Sequence, residues 1–229
     1  MTLLVCASGV GADALGHSYV IRSGWVRMVP YETSEPIAFS ADQVDNDWQM
    51  SLANSNGGFL SVSWRPSDSV ALGLYGAGGF TADLRSESGL NAQLDQLNQS
   101  PTIGAVDVQV LGVSVEFFPL NKDYWLQPFV ALGVHGTGFD SVQVDNELRH
   151  WAVTTLGSDV AELEVDDVVG LQMGIGVDLY IWKHVGLAAS IQWLDVGADT
   201  TLTLADGRQS SFEMQLDPWL FNVGLVVGF

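Results

Sequence analysis

Residues 219–229 alternate without a break: Trp219, Phe221, Val223, Leu225, Val227 and Phe229 share one phase, and Leu220, Asn222, Gly224, Val226 and Gly228 share the other. Successive side chains of an extended chain point to opposite sides, so a strict period of two over this length is a strand. One face is large and apolar throughout, the other is small or mixed, and neither carries a charge. A strand at the surface of a soluble sandwich would show water a polar face. Here the large face suits an apolar medium.

The same alternation predicts seven further strands upstream. Near 18–29 the outward residues are Tyr19, Ile21 and Trp25, near 58–65 Leu60, Val62 and Trp64, and near 69–78 Val70, Leu72 and Leu74. Residues 109–118 put Leu111, Val113, Val115 and Phe117 outward, and 126–136 put Val130, Leu132 and Val134 there. Residues 170–181 offer Leu171, Met173 and Ile175, and 185–193 Leu187, Ile191 and Trp193. Each segment suits a tilted membrane strand of about 9–11 residues. Hydrophobic residues make up 47% of the chain and charged ones 15%, with a mean hydropathy of +0.22. No run of about 18 apolar residues occurs, so a transmembrane helix is excluded and a closed barrel is the remaining way to span a bilayer. The expected fold is all-β, an eight-stranded antiparallel transmembrane β-barrel.

The predicted connections differ in length. Those at 65–68, 119–125 and 182–184 are short, whereas 30–57, 82–104, 139–167 and 195–215 are long. Barrels of this type keep short turns in the periplasm and long loops outside, which places both termini on the periplasmic side. Residues 3–11 are apolar and small and Ala12-Asp13-Ala14 suits a cleavage site, so 1–14 reads as the remnant of a signal peptide and 15–229 as one barrel domain with four long extracellular loops. The single cysteine, Cys6, lies in that leader, leaving no disulfide in the rest.

Eight Lys/Arg against 27 Asp/Glu give a formal charge of −19, and no basic patch exists, which excludes nucleic acid as a partner. Most acids fall in the long segments, among them Asp140, Asp145, Glu147, Asp159, Glu162, Glu164, Asp166 and Asp167, whereas Arg65, Lys122 and Lys183 sit at short turns. The acidic loops are either solvated or bridged by divalent cations to lipopolysaccharide phosphates. The run from Glu162 to Asp167 lacks the spacing and glycine of an EF-hand, so no metal site and no cofactor are expected. His17, His135, His150 and His184 show no triad spacing, and no enzyme is expected.

The inward phase predicts a lumen network of Arg22, Glu116, His135 and Asp178, with Tyr180 also inside and Tyr75 and Gln192 as candidates for a mid-barrel constriction. Eight strands leave an interior filled by side chains, and buried charges must be paired. Arg22 is expected to pair with Glu116 or Asp178 and to plug the periplasmic half. Such a network could serve stability alone. If solute does enter, it must leave through the wall, where Gly and Pro weaken strand pairing. The inward glycines Gly170, Gly174 and Gly176 read as sites of close packing. Trp25, Trp64, Trp125, Trp182, Trp193 and Trp219 lie near predicted strand ends, as interfacial girdles require. Trp48 and Trp151 do not; they either pack within their loops or help line an apolar mouth.

Several of these residues carry a family resemblance. Gly176-Val177-Asp178, Asp195, and Leu216-Asp217-Pro218-Trp219 leading to Phe229 resemble the OmpW/AlkL family of outer-membrane proteins. Arg22-x-Gly24 with Pro30, and Gln127-Pro128-Phe129-Val130, resemble it too. The terminal phase of Trp219, Phe221, Val223, Leu225, Val227 and Phe229 resembles the signal read by the barrel-assembly machinery. The resemblance implies a narrow apolar-lined conduit for passive uptake of small hydrophobic molecules, often with sideways release into the bilayer. Its partners would then be outer-membrane lipid and lipopolysaccharide, the assembly machinery and hydrophobic solutes. Gln192 departs from an apolar lining, which argues against strict alkane specificity. Leu90, Leu94, Leu97, Trp151 and Leu156 would favour an apolar funnel; acidic loops and a plugged lumen would favour a non-conducting structural, adhesion or receptor barrel.

Overall fold

The computed structural model describes residues 16–31, 33–35, 49–87 and 102–229. The predicted leader at 1–14, with Cys6, and Trp48, Leu90, Leu94 and Leu97 lie outside the described residues. In chain order the strands are β1 (Tyr19–Val29), β2 (Gln49–Leu52), β3 (Ser55–Trp64), β4 (Val70–Glu87), β5 (Thr102–Phe117), β6 (Leu126–Val144), β7 (Val160–Val165), β8 (Val168–Tyr180), β9 (Val185–Leu194), β10 (Gly197–Leu204), β11 (Gln209–Gln215) and β12 (Trp219–Gly228). A short helix, α1 (Asn146–Trp151), follows β6.

Eight of these strands close into an antiparallel barrel in the order β1, β3, β4, β5, β6, β8, β9, β12 and back to β1. Closure leaves the barrel no free edge. β1 is held on both sides, by β12 through Val20 opposite Gly228 to Val29 opposite Trp219, and by β3 through Tyr19 opposite Trp64 to Met28 opposite Ser55. The start of β1, the end of β12 and the short turns share one end: Ser18 N donates to the Phe229 carbonyl at 2.7 Å, and Phe229 N returns a bond to the Tyr19 carbonyl at 2.9 Å.

Alternation places a continuous apolar belt on the outside. Leu60, Leu74, Leu111, Val113, Leu132, Leu171, Ile175, Leu187, Val223 and Leu225 are all exposed, Leu132 by 63% and Ile175 by 60%. A belt of this size far exceeds the few hundred Å2 of apolar patch that a water-facing surface usually tolerates. Tyr19, Trp64, Phe117, Trp125, Trp182 and Phe229 ring its terminal side. On the far side stand Trp25 and the directly paired Trp193 and Trp219.

The long segments contain more strand than expected. β4 runs on to Glu87, β5 starts at Thr102 and β6 reaches Val144, so parts of the predicted loops 82–104 and 139–167 are barrel wall. Two causes hid this. Pairing of β4 with β5 shifts register between Ala77 and Phe80, where Gly79 has φ +76°, so the inward phase changes from odd to even residues. Beyond that bulge the outward residues are Thr81, Asp83 and Arg85, polar because they stand clear of the belt. The predicted loop at 195–215 folds into the hairpin β10–β11, which joins β7 in a three-stranded side sheet. These far-end elements enclose an apolar core that includes Met28, Met50, Phe80, Leu84, Ile103, Leu148, Leu194, Leu202 and Met214.

Candidate functional site

The lumen is layered from the terminal end upward. In the lowest layer the Arg65 guanidinium lies 4.0 Å from the centroid of the Phe118 ring and donates to Gln127 Oε1 at 3.0 Å, to the Leu120 carbonyl at 3.1 Å and to the Asp68 carbonyl. Gln127 in turn donates to the Asn121 and Tyr124 carbonyls, at 2.7 Å each, tying the 118–125 turn across the opening. Beside it His17 Nε2 donates to the Lys183 carbonyl at 2.8 Å, with its ring 5.0 Å from that of Tyr180. Burial holds the His17 imidazole below its usual pKa, because the charged form would lose hydration there.

The second layer is an ion triad. Arg22, 4% exposed, donates through Nε and Nη2 to Asp178 at 2.8 Å each, and through Nη1 and Nη2 to Glu116 at 3.3 and 3.2 Å. Its Nη1 also donates to Ser63 Oγ at 2.8 Å, and Ser63 donates to Glu116 Oε1 at 2.8 Å. The Phe129 ring caps the guanidinium at 4.5 Å. One cation thus faces two carboxylates in a site with almost no solvent, and five donated bonds satisfy its fork. Glycines make the room. A Cβ at Gly73 would come within 2.7 Å of Glu116 Oε1, and one at Gly176 within 2.4 Å of the Phe129 ring. The inward glycines are therefore the seats of their neighbours' side chains.

Above the triad is a cavity of about 30 Å3 with a mixed lining, in which Ser61, Ser114, Gln172, Gln192 and Asn222 stand beside Phe59, Leu74, Phe129, Ala131 and Met173. Tyr75 closes it by donating from its hydroxyl to Asn222 Oδ1 at 2.9 Å, and the Phe59 ring stacks on Tyr75 at 6.2 Å. Higher still the lining becomes apolar: Val26, Met28, Ala77, Phe80, Val108, Val110 and Phe139 are all buried. On one side a recess of about 900 Å3 takes its lining from both faces of the wall. Phe59, Ala77 and Val110 come from the inward phase, Leu60, Leu111, Gly58, Gly76 and Gly78 from the outward one. It lies next to the β4 bulge, where β3 and β4 cease to pair beyond Gly58 opposite Gly78.

Of the sequence-predicted residues, Arg22, Glu116 and Asp178 come together, and Arg22 meets both acids where one was expected. His135 does not join them. It lies six residues beyond Phe129 along β6, ~20 Å of strand, where its Nε2 donates to the Asp195 carbonyl at 3.1 Å and its Nδ1 accepts from Thr137 at 3.0 Å. A register-level reading could not separate them, because barrel strands are tilted and sharing a phase is not sharing a height. Tyr75 and Gln192 line the same cavity, but Tyr75 engages Asn222. Ser63, Phe129, Asn222, Gln172, Arg65 and Gln127 were not singled out as site residues. Ser63, Asn222 and Gln172 are plain inward positions whose only signal was phase, Arg65 was read only as a basic residue of a short turn, and Gln127 and Phe129 only as parts of a motif. The Leu216–Trp219 motif works at the far end: Asp217, at φ +35°, accepts from Val196 N at 3.0 Å, and the Pro218 carbonyl accepts from Leu194 N at 3.1 Å. It pins the β10–β11 hairpin to the start of β12. Among the described residues no cluster of His, Cys, Asp and Glu has metal-binding geometry.

Comparison with known proteins follows the same lines. A model of the OmpW family matches residues 16–229. No curated protein matches the sequence. Among solved structures, the chain is similar to the outer membrane protein OprG from Pseudomonas aeruginosa, at 16% identity and a TM-score of 0.80, over 95% of this chain and 99% of that one. It is also similar to the outer membrane protein AlkL, solved in DMPC lipid bilayers, at 15% identity and a TM-score of 0.63, over 100% of this chain and 97% of that one.

Proposed function

The chain belongs to the OmpW family of bacterial outer-membrane β-barrels, and from that premise we propose that it is a narrow conduit for the passive uptake of small hydrophobic molecules, which it releases sideways into the membrane. The observation that carries the reading is the sharp division of the lumen. An apolar interior rests on a floor made of the Arg22–Asp178–Glu116 triad and the Arg65–Phe118–Gln127 layer. An apolar molecule gains by entering the upper part and gains nothing by crossing two layers of saturated ionic and amide bonds, whose disruption would leave charges buried. Its outlet is therefore the wall. The recess beside the β4 bulge, about 900 Å3 in volume, falls within the roughly 300–1,000 Å3 of small-molecule sites, and the backbone there is lined by glycine.

In this reading the termini and short turns face the periplasm and the side sheet faces outward. The acidic far-end loops stand in solvent or meet lipopolysaccharide through divalent cations, and the phase from Trp219 to Phe229 is the feature that the assembly machinery reads. The barrel performs no chemistry of its own. The test is uptake of a labelled medium-chain alkane or fatty-acid ester by cells lacking the protein and cells expressing it at matched outer-membrane abundance. Faster uptake that falls when Gly58 and Gly78 are replaced by a disulfide-forming cysteine pair supports sideways delivery. Equal uptake across several solutes overturns the conduit.

A second reading has its own observation. The far-end interior is occupied by the protein's own Met28, Met50, Phe80 and Leu84, each no more than 2% exposed, as a barrel that only supports structure or adhesion would be. The uptake experiment separates the two.

A further inference from the structure

The chain has eight Lys and Arg side chains against 27 acids, and most of the eight are accounted for. Arg22 and Arg65 are buried in the lumen, and Lys122 and Lys183 stand at the terminal end. Arg149 lies 3.5 Å from Asp159, and Arg208 lies 2.8 Å from Asp206. Arg27 and Arg85 remain. Both are exposed on the outward face, on β1 and β4, the strands that flank β3. Among the described residues neither guanidinium has a hydrogen-bond or ion-pair partner.

Their surroundings differ from the rest of the far end. Arg85 lines a cleft of about 270 Å3 together with Tyr31, Thr33, Ser51 and Asn54. The lining is mostly polar, and among the described residues no acid belongs to it. Asp83, two residues nearer the belt on the same face, lies outside that lining. A guanidinium among hydroxyls and an amide, with no carboxylate, suits an oxyanion: its fork donates in pairs to phosphate or carboxylate, and the neutral donors complete the shell. Arg27 stands lower. It is the next outward residue beyond Trp25, between Phe221 on β12 and Asn56 on β3. Trp25 belongs to the aromatic ring on the far side of the belt, so Arg27 lies in the layer just above hydrocarbon, where a lipid carries its charged head. Pro30, which also lines the cleft, is three residues further along the chain, ~10 Å of extended strand. The two cations thus climb one face of the wall from the edge of the belt.

We propose that this face holds the anionic headgroup of lipopolysaccharide, the phosphorylated glycolipid of the outer leaflet, by direct contact. Arg27 meets a phosphate next to the acyl chains, and Arg85 meets an acidic group of the sugars above. Continuity with the belt favours a lipid over a free anion, because acyl chains lying on Trp25, Leu60 and Phe221, all exposed, share in the attachment. The acidic far-end loops would repel the same headgroup, which confines direct contact to this face. The assignment rests on the orientation given above, with the side sheet outside the cell, and is independent of what the lumen carries.

The test is native mass spectrometry of the purified full-length barrel, titrated with lipid A carrying two acidic core sugars, with the same lipid stripped of its phosphates, and with inorganic phosphate. The phosphorylated lipid should bind more tightly than the stripped one, with or without EDTA. Arg27→Gln and Arg85→Gln should each weaken it about fivefold, the usual worth of one basic side chain beside an anionic lipid surface. Arg208→Gln removes the same charge elsewhere on the far end and should leave binding unchanged. The shift of each variant on unheated gels shows that it has folded. Equal binding of the stripped lipid, or an equal loss in Arg208→Gln, overturns the assignment. Loss of binding in EDTA gives the contact to the acidic loops and divalent cations instead. Inorganic phosphate binding as tightly as the lipid removes the lipid as partner. Glu162→Cys, labelled on intact cells with a membrane-impermeant maleimide, checks the orientation separately. Labelling is expected, and its absence removes orientation and assignment together. Failed lipid binding with labelling intact leaves the orientation and the conduit standing.

Discussion

Arg22 shows how much one inward position can depend on its surroundings. Alone in the lumen its charge would be costly, but between Asp178 and Glu116, with Ser63 and the Phe129 ring as further partners, it is held on all sides. Removing it leaves two carboxylates buried side by side. Arg22→Met should therefore cost about 3–5 kcal/mol in urea unfolding, and the triple change Arg22→Met, Glu116→Gln, Asp178→Asn should recover most of that loss. A triple variant no better than the single one would show that geometry, not charge balance, sets the cost. His17 supplies a pH dependence. Its folded pKa lies below the usual 6.5, so the unfolded chain takes up the proton first. Stability then rises with pH through that window and is lost as the pH falls below about 6.5. His17→Gln keeps a donor for the Lys183 carbonyl but cannot titrate. The difference in unfolding midpoint between pH 8 and pH 5 should shrink in this variant.

At the scale of elements, β12 and the corner before it do separate jobs. The outward phase of β12 was legible because every second residue had to be apolar. We expect deletion of Phe229 to lower the amount of barrel in the outer membrane, measured by immunoblot of membrane fractions, with little effect on refolding in detergent. Asp217 is different, since its backbone sits at φ +35° and its carboxylate holds Val196 N. Asp217→Val combines a lost hydrogen bond with a strained β-branched residue and should cost about 2 kcal/mol, whereas Asp217→Asn, which tolerates this backbone and keeps an acceptor, should cost much less. The element least legible in advance was the upper part of β4. Its two-residue rhythm continues past Gly79, but in the opposite phase and with polar residues outside, and a pattern tuned to lipid stops there.

For the whole molecule, the boundary between lipid and water is the feature that organises everything else. Leu132→Arg, in the middle of the exposed belt, should cost about 2–4 kcal/mol in lipid-bilayer unfolding. Glu162→Arg, on the exposed face of the side sheet, should change stability by no more than about 0.5 kcal/mol. Similar costs at both sites would mean that the belt does not meet hydrocarbon.

The number of barrel strands, the outward face and the membrane setting were determined by the sequence itself, because each rests on a local rule: side chains alternate, and every second one must match the medium beside it. That Arg22 carries the lumen charge was also legible, since an inward charge needs a partner. Which partners it has was decided only by the closed barrel. Arg22 stands 94 positions from Glu116 and 156 from Asp178, and nothing local relates such distant residues. Strand tilt and register set the height of each side chain, and so put Glu116 and Asp178 beside Arg22, His135 well above them, and a small cavity of mixed lining between the floor and the apolar interior.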